Sequence, residues 1–139
     1  MIICIALDDN NGMIFNNRRQ SKDKYLRNDI LNICNGKKLW ISEYTSQQFD
    51  EPLPDNIIVD GDFINKAEEN DYCFVENPSV LKYVKQIDKL IIYKWNRVYP
   101  ADTYFDIQLT EDEWTLLSAE EFKGYSHDKI TKEVWINAK

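Results

Sequence analysis

Residues 5–17 read IALDDNNGMIFNN. An apolar run stops in a cluster of Asp, Asn and Gly, then resumes. These residues suit tight turns, so the pattern reads as a strand running into an irregular loop. Upstream the run is unbroken. Met1–Leu7 (MIICIAL) is apolar throughout, as suits a strand buried on both faces. Strands of that kind belong to parallel sheets covered by helices, so the rest of the chain must supply both.

It does, in alternation. Ser21–Cys34 (SKDKYLRNDILNIC) sets Tyr25, Leu26, Ile30, Leu31, Ile33 and Cys34 near helical spacing. Ser21 or Asp23 is placed to cap that helix and Gly36 to end it. Lys38–Ser42 is a short strand, and Thr45–Phe49 opens a second, short helix. Glu51–Pro54 is extended or turn-like, because a residue before proline avoids the helical region. Asn56–Val59 reads as a buried strand, Phe63–Glu69 as a short helix and Asp71–Val75 as a strand. Pro78 then opens a helix with Val80, Leu81, Val84 and Ile87 on one stripe, and Lys89–Tyr93 is a further buried strand.

After Tyr99 the texture changes. Phe105–Leu109 and Thr115–Leu117 are short runs, and Lys132–Ile136 (KEVWI) alternates as a half-buried strand. The expected class is α/β: a mostly parallel sheet with helices on both faces and an antiparallel C-terminal edge.

At 139 residues the chain is expected to form a single domain, 1–139, and its four Trp, eight Tyr and six Phe argue against disorder. The net charge of -7 repels phosphate backbones, so direct nucleic-acid binding is not expected. Acidity suits solubility, a basic protein partner, or mimicry of a nucleic acid. Cys4, Cys34 and Cys73 have no metal-type spacing, and Cys4 and Cys73 sit in apolar runs as core residues. With no signal peptide and no apolar run of membrane-spanning length, a reduced, cytoplasmic, soluble protein is expected. His127, in GYSHD, reads as a structural or solvent-exposed residue without a Ser or Cys partner set.

Several short segments, in order, resemble dihydrofolate reductases. IALDDNNG (5–12) is similar to that family's opening strand and loop, I-V-A-V-D-E-N-N-G-I-G. KKLWISEYTSQQF (37–49) resembles K-x-V-V-M-G-R-K-T-x-E-S-I, and PLP with NIIV (52–59) resembles P-L-P-G-R-x-N-I-V. DKLII (88–92), DTYF (102–105), EDEW (111–114) and KEVWI (132–136) continue the likeness. The resemblance implies a dihydrofolate reductase-like three-layer sandwich. It also implies hydride transfer from NADPH to dihydrofolate, which needs seats for the phosphates and a carboxylate to orient the pterin.

Tested residue by residue, the ligand motifs depart. The family's L-P-W-x-x-x-x-D would place its carboxylate at Leu26, and RRQS (18–21) stands in its loop. Asp23 and Asp29, each three residues away, are the possible replacement acids; otherwise they are a cap and a solvated face. In place of G-R-K-T stands Ser42–Thr45 (SEYT), which keeps Thr45 but puts Ser42 for Gly and Glu43 for Arg. In place of a phosphate-opening Gly-Gly pair stand Glu76 and Asn77. Ile14 narrows the nicotinamide slot, Tyr93 replaces a small hydroxyl, and the tail-binding Arg after P-L-P-G is missing where the turn shortens to Asp55. The segment between Val59 and Asp71 is also short.

Sheet-building residues are kept while ligand contacts are lost, and two of those contacts have reversed charge. The remnant cleft comprises Ala6, Leu7, Ile14, Leu26, Ser42, Thr45, Glu76, Asn77 and Tyr93. The expectation is a catalytically inactive scaffold that binds a protein, as an inhibitor or antagonist of phage or immunity type. No cofactor and no metal are expected. One alternative is a divergent NADPH-dependent reductase of a pterin or pyrimidine; another is an acidic nucleic-acid mimic. Arg18, Arg19, Glu43, Trp95, Glu111, Asp112 and Glu113 are the candidate interaction surface, with Trp95 an anchor if exposed.

Overall fold

The structure is a computed structural model and describes residues 1–77 and 79–139. Two sheets organise it. The larger has seven strands, and its first, β1 (Ile2–Leu7), lies at the centre. β1 pairs in parallel with β6 (Tyr72–Phe74) on one side and β7 (Lys89–Lys94) on the other. Beyond β6 lie β4 (Leu39–Ile41) and, at the edge, β5 (Ile57–Val59), both parallel. Beyond β7 lie β10 (Ile130–Asn137) and β9 (Trp114–Phe122), both antiparallel. The second sheet is small: β2 (Gly12–Phe15) between β3 (Arg18–Arg19) and β8 (Thr103–Tyr104).

Strand alternation divides the core in two. Ile3, Ile5 and Leu7 of β1 join Leu90 and Ile92 of β7 on one face. Ile2 and Cys4 join Ile91 and Tyr93 on the other. The second face is covered by α1 (Lys24–Ile33) through Leu26 and Ile30. The first is covered by thinner pieces: α3 (Phe63–Lys66), a 3-10 turn over Leu81–Gln86, and Met13, Ile14 and Phe105 of the small sheet and its flank. Cys4, Cys34 and Cys73 are buried, and burial pushes the thiol of Cys73 up to about 12.

Several sequence expectations need correction. The second helix, α2, is Glu43–Ser46 with Ser42 as its N-cap, two residues earlier than its expected start at Thr45. β5 is a half-exposed edge strand, because among the described residues no strand covers its outer side. Val80 and Ile87 are buried as their stripe requires, but Leu81 is exposed and the segment winds as a 3-10 turn. The helix start expected at Pro78 lies outside the described residues. Thr115–Leu117 is part of a nine-residue strand, β9. Among the described residues no helix is long and apolar enough to cross a membrane.

Candidate functional site

Parallel sheets bind ligands in the crevice beyond the carboxyl ends of their strands. Four parallel strands end together here. β1 runs into Asp8, β4 into Ser42 and α2, β6 into Val75 and Glu76, and β7 into Trp95. The chain's own side chains fill that crevice.

Glu76 lies at one end of it. Arg19 donates to its carboxylate twice, from Nε at 2.8 Å and from Nη2 at 3.1 Å. Such a forked, charge-assisted pair is among the stronger hydrogen-bonded contacts a protein makes. Thr45 Oγ1 donates to the same carboxylate at 2.9 Å. The guanidinium lies over the Tyr44 ring, 4.1 Å from its centroid, and also donates to the Tyr44 carbonyl at 3.0 Å. The Tyr44 hydroxyl in turn accepts the Arg19 backbone N–H at 2.9 Å. Ser42 caps α2 through the N–H of Thr45, 3.1 Å. A carboxylate from the end of β6 thus sits beside the start of α2, held by Arg19 from β3. Both side chains of the ion pair are mostly buried.

Asp23 anchors a second network. As N-cap of α1 it accepts from the N–H groups of Tyr25 (2.9 Å) and Leu26 (3.3 Å). It also accepts from Tyr125 N–H (3.1 Å) and Ser126 N–H (2.9 Å), which lie 102 and 103 positions along the chain. His127 Nδ1 lies 2.9 Å from its Oδ2. Burial alone would raise the Asp23 carboxyl; the bonds from His127, Tyr125, Ser126 and Leu26 outweigh it and hold the group below the usual carboxylate range. The other ring nitrogen, Nε2, is 2.9 Å from Ser21 Oγ and 3.1 Å from the Tyr99 hydroxyl. Trp95 stacks on the imidazole with centroids 4.5 Å apart.

His127 is therefore buried and fully engaged, and a Ser partner exists. Burial fits the structural one of its two sequence readings; the Ser partner corrects the other part of that reading. The reason is tertiary: the loop between β9 and β10 returns to α1, a contact between residues 104 positions apart. Ser21, His127 and Asp23 have the connectivity of a hydroxyl–imidazole–carboxylate relay. Two features of the geometry bear on it. Nε2 is shared with Tyr99, and the cavity beside Ser21 has no room for an acyl group. That cavity, lined by Ala6, Arg19, Ser21, Val75, Glu76 and Trp95, holds about 10 Å³. One water needs roughly 10–15 Å³ on this measure, and ligand pockets run to roughly 300 Å³ or more.

Asp8 fixes the opening loop. Its carboxylate accepts from Gly12 N–H (2.7 Å), Asn10 N–H (2.8 Å), Gln20 Nε2 (3.0 Å) and Tyr99 N–H (3.1 Å). Burial acts to raise this carboxyl, and the donors outweigh it and lower it. A Cβ on Gly12 would meet Gln20 Nε2 at 2.6 Å and Ala101 Cβ at 2.7 Å, so only glycine fits. The chain then turns sharply. Asn16 has φ 53° and Asn17 has φ 61°. Both residues are left-handed, as a two-residue hairpin loop between β2 and β3 requires. The stretch MIFNNRRQS is thus a tight β2–β3 hairpin that carries Arg19 to Glu76.

The remaining candidates scatter. Asp29 accepts from the Tyr93 hydroxyl at 2.5 Å and pairs with Lys132 Nζ at 3.0 Å. Tyr93 is buried, and burial pushes its hydroxyl pKa far up. Ile14, Leu7 and Leu26 are core residues, and Asn77 is exposed. Glu43 is exposed at the start of α2, and Glu111, Asp112 and Glu113 are exposed in the turn before β9. Arg18 is exposed while Arg19 turns inward. Trp95, an anchor only if exposed, is buried at 4% exposure and is part of the core. Among the described residues no cluster of His, Cys, Asp and Glu could hold a metal ion. Sequence reasoning missed Tyr44, Tyr99 and Asp8; Asp8 followed by Asn-Asn-Gly was the one legible turn signal.

No protein-family model and no curated protein matches the sequence. The fold does have matches among solved structures. A dihydrofolate reductase from Enterococcus faecalis, complexed with NADP(H) and RAB-propyl, superposes with a TM-score of 0.67 at 12% identity. The alignment covers 100% of this chain and 97% of that one. The chain has a dihydrofolate reductase-like fold over its whole length.

Proposed function

We propose that this protein is a catalytically inactive dihydrofolate reductase-like scaffold that acts by binding another protein, as an inhibitor or antagonist. One observation carries the reading. Glu76, bound to Arg19 and Thr45, stands in the crevice beyond the parallel strands, and the cavity it lines there holds about 10 Å³. A phosphate brought there would meet a carboxylate already holding the local cation, and like charges at such a distance oppose binding. The two replacement acids are committed elsewhere: Asp23 to His127 and a helix cap, Asp29 to Tyr93 and Lys132.

The alternative, an NADPH-dependent reductase, draws on the likeness to a reductase solved with NADP(H). Dihydrofolate-dependent oxidation of NADPH, followed by absorbance, separates the two. The scaffold reading expects no rate above buffer. A turnover abolished by Asp23→Asn or Asp29→Asn would establish the reductase instead.

A further inference from the structure

We propose that a groove on the outer side of the β2–β3 hairpin docks an acidic, aromatic-bearing segment of a protein partner. The proposal rests on the binding-scaffold reading and names its surface. The groove lies between the hairpin and the loop after β7, has a volume of about 320 Å³, and is lined by Phe15, Arg18, Gln20, Tyr99 and Pro100 among others. It is separate from the closed crevice, although Arg19 and Gln20 border both.

Four observations set its chemistry. Phe15 is 48% exposed, while its strand neighbours Met13 and Ile14 are buried. Arg18, directly across the hairpin from Phe15, is exposed and has no ion-pair partner among the described residues. Arg97, also exposed and without such a partner among the described residues, lies 5.3 Å from the centroid of the Tyr99 ring. Gln20 buries its Oε1 with no hydrogen-bond donor among the described residues. Of the neighbouring carboxylates, Asp8 is engaged by its four donors and Asp102 by the Asn16 N–H (2.9 Å) and the Thr103 hydroxyl (3.3 Å), while Asp9, whose N–H donates to the Arg97 carbonyl, is exposed.

Elsewhere the molecule is acidic, with a net charge of -7. Two free guanidinium groups beside exposed aromatic surface therefore mark where a negatively charged segment is drawn in. Guanidinium pairs with carboxylate and stacks on rings, and aromatic and Arg residues dominate interface energetics. One aromatic side chain of the segment enters the groove beside Phe15. Its flanking carboxylates reach Arg18 and Arg97.

The test is a titration of the full chain, followed by amide NMR, with the peptide acetyl-Glu-Asp-Trp-Glu-Asp-amide. The counterpart acetyl-Lys-Lys-Trp-Lys-Lys-amide serves as the comparison. The expected result is saturable shifts confined to residues 15–20 and 97–101, weakened by added salt and absent with the lysine peptide. Arg18→Glu should weaken binding by roughly tenfold, and Phe15→Ser by a similar factor. Both side chains are exposed, and the spectra themselves report whether each variant is folded. Shifts elsewhere, none at millimolar peptide, equal response to the lysine peptide, or unchanged affinity in folded Arg18→Glu would overturn the proposal. Failure here leaves the scaffold reading standing, whereas dihydrofolate turnover removes that reading whatever the titration shows.

Discussion

Two carboxylates, the mostly buried Glu76 and the buried Asp23, look alike and do different work. Each joins segments remote in sequence. Asp23 is wholly enclosed, accepts four backbone N–H groups and faces an imidazole. Among the described residues Glu76 accepts only from side chains, Arg19 and Thr45. Backbone donors cannot turn away when their acceptor is removed, so Asp23 is part of the framework. Side-chain donors can swing to solvent, so Glu76 is a plug set into a framework that stands without it. The difference teaches that one carboxylate is part of the architecture and the other is a removable group.

The largest expected effect breaks the framework. Asp23→Ala strands several backbone N–H groups and a buried imidazole, and should cost about 3–5 kcal/mol. Chemical denaturation should show it, and a loss under about 1 kcal/mol would put Asp23 on the same footing as Glu76. Acid sharpens the same point. The folded pKa of Asp23 lies below its unfolded value. Its contribution is therefore complete above the ordinary carboxylate range near pH 4 and fades as pH falls through the folded value. Asp23→Asn should flatten that decline relative to wild type when stability is measured down an acid series.

Gly12→Ala should come next, at about 2 kcal/mol, a typical cost of overpacking. The added methyl has no open space and must displace Gln20 and the Asp8 loop. Glu76→Ala should cost about 1–2 kcal/mol and leave the fold intact, the usual range for one lost partner of a buried donor. The donor that loses its carboxylate is the mostly buried Arg19, which keeps the Tyr44 carbonyl. Thermal melts rank the pair, and a Glu76 variant that fails to fold would make the plug part of the framework. Smallest of all, Phe15→Ser and Arg18→Glu should change stability by less than about 0.5 kcal/mol, as surface substitutions do. Both side chains lie on the surface.

Legibility follows the same division. Met1–Leu7 and Lys89–Tyr93 are readable as strands buried on both faces because hydrophobic burial is local in sequence: nearly every residue must be apolar. Asp23 as a cap is readable for the same reason, being immediately before its helix. The carboxylate at the end of β6, Glu76, is legible too. Its partner is not, because nothing in RRQS distinguishes an arginine that turns inward from one that faces water. The Asn16–Asn17 turn decides that, and a pair of Asn between alternating residues is the available signal. The burial of His127 is hidden because its partners lie at Ser21, Asp23 and Tyr99, and spacing carries no information across such separations.

The measurement that bears most directly on a self-filled crevice is an NADPH titration, read by quenching of the tryptophans, of wild type beside Glu76→Gly. Trp95 borders the crevice and reports on it. The account predicts no saturable quenching of wild type up to millimolar NADPH, with any binding that appears confined to the glycine variant. Saturable quenching of the wild-type protein at micromolar NADPH would contradict it, for then the carboxylate of Glu76 does not hold the place that a phosphate needs.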